Sequence, residues 1–399
     1  APATGTPAVR AVTVLGEATR VEQLIGDADV ERLPNGAERP TATQTRSRFG
    51  VFGADLGYSF EHAGRLWFLF GDSRIDGLDR GAPDPVAFTT ATRPPLGRAL
   101  EFLTRAEGAR EPFVYEARGV PAGGSEVPAS GVSVNGVAYV LFKTDHHDDE
   151  ATGRSVLTRF DPATRTVSVV REFSNVQTGG HFLKAAFRVM PANTPGMPTS
   201  EPVVLAWGTG RYRQSAVYLQ CLRVSTFGNA QGAEAWFYVG LGTDGVPRWS
   251  RNEAEARPVM DYDRAGDVSV TRCEPAGLWL ALYDRRESLG VALAWSTSPW
   301  GPFTEAGTLF TPSQWRGRIL WDPERADAGL RPGPLMNRQD EARGEALTKR
   351  GGAYAPYVIE RFTRVEGGSP DTIVLDWLLS TWNPYVVHLM ESRVRWTTR

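Results

Sequence analysis

Three acidic residues stand at the heads of strand-like segments that are far apart in the sequence. Asp55 lies in GADLGYSF, Glu126 in SEVPASGVSV and Asp267 in AGDVSVTRC. Acids are depleted in β-strands, so a similar position in three such segments is unusual. Glycoside hydrolysis needs two carboxyl groups beside a sugar ring, one to protonate the leaving oxygen and one to activate water or attack the anomeric carbon. These acids are therefore candidate catalytic residues.

Each acid also begins a segment with the pattern of a β-hairpin. In the first, GADLGYSFEHAGRLWFLFGDS, two apolar runs flank a turn at His62-Ala63-Gly64. The second turns at Asn135-Gly136, the strongest short-range hairpin signal, and the third at Pro275-Ala276-Gly277. Two further hairpins lack a leading acid; they are HFLKAAFRVM with PVVLAWGTG, and AYAPYVIERFTRV with TIVLDWLLSTW.

The recurrence of this hairpin predicts the fold. The five units begin near residues 55, 126, 182, 267 and 353, a spacing longer than the usual propeller repeat of about 40 to 50 residues. Long loops account for the excess, and other apolar segments supply outer strands. We predict an all-β, five-bladed β-propeller with about four antiparallel strands per blade around a central channel. It forms one domain over residues 1–399, with 1–10 a flexible N-terminal segment and AVRAVTVLG pairing with the last blade.

Such a fold would bring the three acids together. The innermost strands of a propeller run along its channel, so strands that begin with an acid place those acids at one mouth. Asp72, in Gly71-Asp72-Ser73, ends the second strand of the first hairpin, and it either reaches the same mouth or bridges two blades. The alternative for each acid taken alone is a turn or cap residue that binds its own backbone.

Composition and missing motifs exclude several functions. Lys and Arg total 44 against 46 Asp and Glu, for a net charge of -2, which is not the footprint of a nucleic-acid-binding protein. Apolar runs stay well short of the about 18 residues of a membrane span. Motifs for phosphate binding, serine hydrolysis and zinc proteolysis are missing. The acidic and histidine-rich segment 145–150 has ligand types for a divalent cation but no metal-site spacing, so we predict a solvated loop, no metal and no cofactor.

Two features concern the cellular compartment. The chain starts Ala-Pro-Ala-Thr-Gly without an initiator Met, as expected for a secreted protein after signal removal. Its two cysteines, Cys221 and Cys273, lie in neighbouring predicted blades. A disulfide and a pair of buried thiols both fit this placement.

The sequence resembles the secreted β-propeller glycoside hydrolases long known only as a domain of unknown function, whose characterised members include endo-D-arabinanases. The resemblance runs from about Gly53 to Met390 and rests on the ordered segments GADLGYSF with FLFGDS, SEVPASG, WGTGRYRQSAVYL, GTDGVPRWS, STSPWGPF, GGAYAPYVIERF and LSTWNPYVVHLM. It implies a furanoside polysaccharide as substrate, above all the D-arabinan of arabinogalactan and lipoarabinomannan. The family pattern matches Asp55, Asp72 and Glu126. In the fourth blade the family often has Glu-Leu-Ser-Val, whereas this chain has the shorter Asp267, which argues against a proton donor there.

Other polar and aromatic residues suit a carbohydrate cleft. The candidates for substrate binding are Arg211, Tyr212, Arg213, His181, Lys184, Tyr354, Tyr357, Trp382 and Asn383. Arginines donate to hydroxyls or pair one blade with another, and aromatic rings stack on sugars or pack between sheets. A basic group at the third inner strand would lower the pKa of a neighbouring acid or bind substrate.

Two functions from different classes are consistent with these features. The first is a glycoside hydrolase with Asp55 and Glu126 as its catalytic pair. The second is a carbohydrate-binding propeller without turnover, in which the same acids only bind hydroxyls or an ion. Fold alone does not separate them, because propellers carry both functions.

Overall fold

A computed structural model of the chain describes residues 9–78, 83–120, 126–144, 153–285 and 290–398. The described residues form 23 strands, in chain order β1 (Val9–Val14), β2 (Thr19–Gln23), β3 (Val51–His62), β4 (Arg65–Ile75), β5 (Val86–Thr89), β6 (Glu101–Phe102), β7 (Val127–Val134), β8 (Val137–Thr144), β9 (Arg154–Asp161), β10 (Thr166–Asn175), β11 (Lys184–Met190), β12 (Val203–Thr209), β13 (Ser215–Arg223), β14 (Ala235–Leu241), β15 (Pro247–Ser250), β16 (Pro258–Cys273), β17 (Leu278–Arg285), β18 (Val291–Ser296), β19 (Thr304–Phe310), β20 (Ala353–Val358), β21 (Arg364–Glu366), β22 (Ser369–Thr381) and β23 (Val387–Thr398). The prediction of an all-β chain is confirmed.

Helical structure is limited to single turns or little more. The α-helices are α1 (Thr45–Phe49), α2 (Pro312–Trp315), α3 (Arg338–Ala342) and α4 (Glu345–Thr348). Short 3-10 segments cover Gly97–Ala99, Val176–Thr178, Val224–Thr226, Glu253–Glu255, Glu274–Ala276, Pro323–Ala328 and Glu360–Phe362. In the part of the chain that the structure describes, none of these helices has the length and apolar character to cross a membrane.

Three of the sheets have the strand order expected for successive hairpins. The first runs β3-β4-β5-β6 and the second β7-β8-β9-β10. The last runs β20-β22-β23-β1, with β21 added beside β22 and β2 beside β23. The pairing of β1 with β23 is antiparallel, so the early strand joins the last sheet as predicted.

The middle of the chain departs from separate sheets, because one long strand belongs to two of them. The first part of β16 pairs with β13 and its last part pairs with β17. A nine-stranded sheet results, with β11-β12-β13 on one side and β16-β17-β18-β19 on the other, while β14 and β15 extend from β13. The sequence predicts the hairpins in this region, but not the strand that links them.

The first two hairpin turns follow from residues that accept positive φ. Ala63 and Gly64 have φ of 49° and 76°, and Asn135 and Gly136 have φ of 51° and 76°. Two successive residues with positive φ match the right-handed twist of the flanking strands. The turns therefore fix the register of the β3–β4 and β7–β8 hairpins.

The innermost strands of the five hairpins contact one another in a cyclic order. β3 contacts β7, β7 contacts β11, β11 contacts β16, β16 contacts β20, and β20 contacts β3. Outside this ring, buried apolar side chains fill the space between neighbouring sheets in four clusters. Trp207 of β12 and Trp279 of β17, for example, are fully buried with ring centroids 5.2 Å apart. This packing holds the starts of the inner strands in place.

Two further sequence predictions concern the cysteines and the charged segment 145–150. Cys221 and Cys273 are both buried free thiols, so of the two alternatives the structure has no disulfide between them. The charged segment 145–150 and the first eight residues, most of the predicted flexible segment 1–10, lie outside the described residues. Within those residues no group of three or more His, Cys, Asp or Glu side chains has an arrangement that would hold a metal ion.

Candidate active site

Each of the five innermost strands brings a polar residue to the same end of the ring of strand contacts, which we call the mouth. Asp55 lies in β3, Glu126 directly precedes β7, Lys184 begins β11, Asp267 lies in β16 and Tyr354 in β20. Direct contacts cross the mouth. The Tyr354 hydroxyl donates to Asp55 Oδ2 at 2.6 Å, and Lys184 Nζ donates to Asp267 Oδ1 at 2.8 Å.

Irregular backbone accompanies four of these five positions. The strand register shifts near Asp55, Glu126, Asp267 and Tyr354. In the same order, the shifts lie between Leu56 and Tyr58, between Pro128 and Ser130, between Ala265 and Val268, and between Tyr354 and Tyr357. Such bulges bend a strand and redirect its side chains, and they are frequent beside active sites. The bulges explain how residues from a regular ladder converge on one point.

Asp55 is a buried carboxyl group with one tyrosine partner. It is only 6% exposed, and burial raises its pKa to about 6, while the hydroxyls of Tyr354 and Tyr385 and the Lys184 ammonium act in the opposite direction. The Tyr385 hydroxyl faces Asp55 without a hydrogen bond of regular geometry. A side chain at Gly71, on the paired strand, would begin 2.7 Å from Asp55 Oδ1, so only glycine leaves room for this carboxyl group.

Asp72 reaches the same mouth from β4 through an unusual backbone conformation. Its φ is 39°, in the left-handed region that non-glycine residues rarely adopt. Burial raises the pKa of Asp72 well above its usual value, and the carboxylates of Asp55 and Glu126 raise it further, against Lys143 and Lys184. Of the two positions left open by the sequence, Asp72 takes the one beside the other acids.

Asp267 has the opposite environment. Burial favours its neutral form, but the Lys184 ammonium, the hydrogen bonds from Lys184 and the Tyr58 hydroxyl, and the charge of Arg213 together lower its pKa below the ordinary value. The hydrogen bonds to Oδ1 measure 2.8 Å from Lys184 Nζ and 2.5 Å from Tyr58. Asp267 is therefore ionised at neutral pH and has no proton to donate, in agreement with the expectation from its short side chain.

Two further buried acids lie behind the mouth, and the sequence analysis missed both. Asp84 Oδ1 accepts the backbone N–H of Asp72 at 2.9 Å, and Asp284 Oδ1 accepts that of Asp267 at 2.6 Å. Burial is the main cause that raises the pKa of Asp84 well above normal and that of Asp284 to about 6. A signal for Asp284 existed in the sequence, because it ends the second strand of its hairpin, as Asp72 does.

Four carboxyl groups at the mouth each have one buried oxygen atom whose hydrogen bonding is unsatisfied among the described residues. These atoms are Asp55 Oδ1, Asp72 Oδ1, Glu126 Oε1 and Asp267 Oδ2, and they lack a hydrogen-bond partner among the described residues. A buried polar atom without a partner costs about 1 to 3 kcal/mol, so folding alone does not favour four of them in one place. The hydroxyl groups of a bound carbohydrate would satisfy them.

The three residues of the predicted Arg211-Tyr212-Arg213 loop lie in different environments. The Tyr212 ring lies 4.1 Å from Lys184 Nζ and 4.8 Å from Arg213 Cζ, so it packs against two cations. Arg213 Nε and Nη2 donate to Asp284 Oδ2 at 3.1 and 2.9 Å. Arg211 is exposed. Of the alternatives for these arginines, Arg213 forms an ion pair with a buried acid, and only Arg211 is on the surface.

His181 and Tyr357 have other contacts than those expected of substrate-binding residues. The His181 ring stacks on Tyr218 with centroids 3.8 Å apart, and its backbone N–H donates to Glu253. The Tyr357 ring packs against Tyr58 at 4.9 Å and lines a cavity of about 460 Å³ formed by the far ends of the inner strands. Tyr357 therefore lines the cavity at the far ends of the inner strands and does not lie among the acids at the mouth.

Trp382 and Asn383 follow β22 beside the mouth. Trp382 is 39% exposed, and its Nε1 donates to Arg350 O at 2.7 Å, which fixes the orientation of the ring. The Asn383 amide is fully buried and bound to backbone groups of Gly333, Ala346 and Lys349. The Trp382 ring is thus exposed, whereas the Asn383 amide holds the loop and all its hydrogen-bonding groups are engaged by the backbone.

The chain belongs to the family described as Domain of unknown function (DUF4185), which matches residues 41–391. No curated protein sequence matches it.

Similar solved structures include a GH43_1 enzyme from Xanthomonas citri, with 13% identity over 86% of this chain and 89% of that chain and a TM-score of 0.43. They also include an endo-arabinase from Bacteroides thetaiotaomicron VPI-5482, with 10% identity over 86% and 95% and a TM-score of 0.39. A GH43 endo-arabinanase from Bacillus licheniformis has 10% identity over 84% and 96% and a TM-score of 0.40. Similarity of this degree says nothing about the substrate of this chain.

Proposed function

We propose that this chain is a secreted glycoside hydrolase, similar to endo-D-arabinanases, that cleaves furanosidic linkages in a polysaccharide. The leading substrate is the D-arabinan of arabinogalactan and lipoarabinomannan. One observation supports the reaction class above all others. Acids from separate strands meet at one mouth with buried oxygen atoms that lack hydrogen-bond partners among the described residues. Their surroundings set their pKa values apart, well above normal for Asp72, to about 6 for Asp55 and below normal for Asp267. Carboxyl groups whose pKa values are pushed apart are the acid and base that glycoside hydrolysis needs.

The proposed scaffold is a five-bladed β-propeller. The cyclic contacts of β3, β7, β11, β16 and β20 support it, because each of these strands begins one hairpin and faces the same channel. The pairing of β13 with β16 then joins the third and fourth blades along one edge. In this arrangement a substrate approaches the mouth at which the inner strands begin.

The structure supports Asp72 as the proton donor and Asp55 as its ionised partner. Asp72 keeps its proton at neutral pH, because it is buried beside two other carboxyl groups. Asp55 has a pKa of about 6 and a tyrosine that donates to its anionic form, so it is mostly ionised at pH 7. In the proposed reaction Asp72 protonates the leaving oxygen while Asp55 attacks the anomeric carbon or activates water. Glu126 raises the pKa of Asp72 and binds substrate hydroxyls.

The remaining residues at the mouth hold the substrate in place. The Lys184–Asp267 ion pair gives the floor of the site a fixed charge pattern. The exposed Trp382 ring and Arg211 are the proposed contacts for a sugar unit outside the catalytic position. Aromatic rings stack on the apolar face of sugars, and arginine donates to their hydroxyls.

Product analysis on arabinogalactan and lipoarabinomannan tests this function. We expect the wild type to release oligosaccharides, Asp55→Asn to lower their release by about 10³-fold, and Glu126→Gln to lower it by about tenfold, since acid–base residues contribute about 10² to 10⁴. Asp244→Asn is the matched control, because this exposed acid pairs with Arg248 in a hairpin turn. Unchanged release by Asp55→Asn would refute the assignment of Asp55 as the ionised catalytic partner. Binding without release by the wild type would favour the carbohydrate-binding alternative.

A further inference from the structure

We propose that Asp84 is a positioning residue that holds Asp72 in its left-handed conformation and so aims the Asp72 carboxyl group into the mouth. The proposal rests on the proposed hydrolase function for its catalytic consequence, but its structural part stands on the geometry of residues 72 and 84. Asp84 does not itself face the substrate in this assignment.

The backbone of Asp72 needs an external restraint. A left-handed conformation at a non-glycine residue costs about 1 to 3 kcal/mol, and it persists only where the surroundings impose it. Here the restraint comes from the segment before β5. Asp84 Oδ1 accepts the Asp72 N–H at 2.9 Å, and Pro83 O accepts the neighbouring Ser73 N–H at 2.7 Å. Two consecutive N–H groups of β4 are thus bound by two consecutive residues.

Asp84 is itself fixed in position. Asp84 is only 4% exposed, and its backbone carbonyl oxygen accepts the Tyr115 N–H at 2.7 Å. Tyr115 is buried among aromatic rings and hydrogen-bonded to Thr158 of β9. The restraint on Asp72 therefore connects to the core between the first two sheets.

A buried carboxyl group also binds the backbone N–H of Asp267, although Asp267 does not have the positive φ of Asp72. Asp284 Oδ1 accepts the Asp267 N–H at 2.6 Å, and its carboxylate lies so close to Gly266 that a Cβ atom there would stand 2.4 Å from Oδ1. Asp284, however, is paired with Arg213. The charged groups that act most strongly on Asp84 are the acids Asp72, Asp55 and Glu126.

The two acids at the mouth differ in the charged groups around them. Burial and the carboxylates of Asp55 and Glu126 raise the pKa of Asp72, against Lys143 and Lys184. Lys184 is in direct contact with Asp267, and Lys184, Tyr58 and Arg213 lower the Asp267 pKa against the effect of burial. The proposed part of Asp84 is thus to place the Asp72 carboxyl group among its acidic neighbours, and not to change its pKa through its own charge.

Two substitutions separate positioning from acid chemistry. Asp84→Ala removes the acceptor, so residue 72 can relax and admit water, and the pKa of the Asp72 carboxyl group should fall toward its usual value. Asp84→Asn keeps an oxygen that accepts the Asp72 N–H. The readouts are the Asp72 carboxyl pKa from ¹³C NMR, assigned by its loss in Asp72→Asn, and the pH dependence of kcat for arabinan cleavage.

We expect Asp84→Ala to lower kcat by about 10²-fold or more. The same variant should lower the pKa of Asp72 and so move the alkaline limb of the pH profile to lower pH. The kcat of Asp84→Asn should stay within about tenfold of the wild type. An unchanged Asp72 pKa in folded Asp84→Ala would overturn the proposal. If Asp84→Ala does not fold, Asp84→Asn decides, because a loss as complete as that of Asp72→Asn would make Asp84 an acid–base group. The NMR result holds even if the wild type cleaves no arabinan, which would refute only the proposed function.

Discussion

Asp72→Asn is expected to abolish cleavage of arabinan and at the same time to stabilise the protein above neutral pH. Loss of the proton donor should lower kcat by about 10³-fold or more. The folded-state pKa of Asp72 is raised, so the wild type loses stability as the pH rises from the unfolded-state pKa toward the folded-state pKa. Asparagine holds no proton to lose. The variant should exceed the wild type in free energy of unfolding at pH 8 by at least about 1.4 kcal/mol, the free energy of a tenfold change in an equilibrium constant.

Cleavage assays and urea unfolding at pH 4 and pH 8 measure these two effects. The gain in stability should be present at pH 8 and small at pH 4, where Asp72 is protonated in the folded protein and, with an ordinary pKa of 3.8, close to half protonated in the unfolded chain. Asp244→Asn, at an exposed turn, is the control for a charge change outside the mouth. Full activity in Asp72→Asn would remove Asp72 from the catalytic pair. A loss of stability at pH 8 would contradict the burial of an uncharged carboxyl group.

Tyr354→Phe is expected to move the acid limb of the pH profile to higher pH. The Tyr354 hydroxyl donates to Asp55 at 2.6 Å and is the strongest of the influences that lower the Asp55 pKa, against the dominant effect of burial. Without it, the pKa of Asp55 rises above about 6. Asp55 must be ionised to attack or to activate water, so kcat/KM at pH 6 should fall by about tenfold while activity at high pH largely persists.

The matched control is Tyr139→Phe. Tyr139 lies on β8, and its ring packs edge-on against Phe227 at 5.2 Å, outside the mouth. The control should leave the acid limb where the wild type has it. If Tyr354→Phe lowers activity equally at every pH, the tyrosine positions substrate and does not set the pKa of Asp55.

The sequence predicts the parts of the site that depend on local pattern. Alternating runs and the Asn135-Gly136 turn identify the hairpins, and the acids at their heads identify Asp55 and Asp267 as neighbours at one mouth. These positions are recognised as equivalent because each acid stands at the same place in the order of strands and turns along its hairpin. For the same reason Lys184 could be placed at the third strand without knowledge of its partner.

Other features depend on long-range geometry that one sequence does not encode in a readable form. Asp84 precedes a short strand, and only the folded loop brings its carboxyl group to the Asp72 N–H. Asn383 has the chemistry of a sugar-binding residue, but backbone groups of the 333–349 segment occupy its amide. The joining of two sheets by β16 follows from its length and register, which its apolar pattern does not reveal.

The pH profile of kcat/KM for cleavage of arabinan by the wild type tests the central assignment most directly. Asp55 has a pKa of about 6 and the pKa of Asp72 is raised well above its usual value, so a bell-shaped profile is predicted, with an acid limb near pH 6 for ionisation of Asp55 and an alkaline limb at higher pH for loss of the Asp72 proton. A profile without an acid limb, or one that rises continuously above neutral pH, would contradict the roles given to these two carboxyl groups.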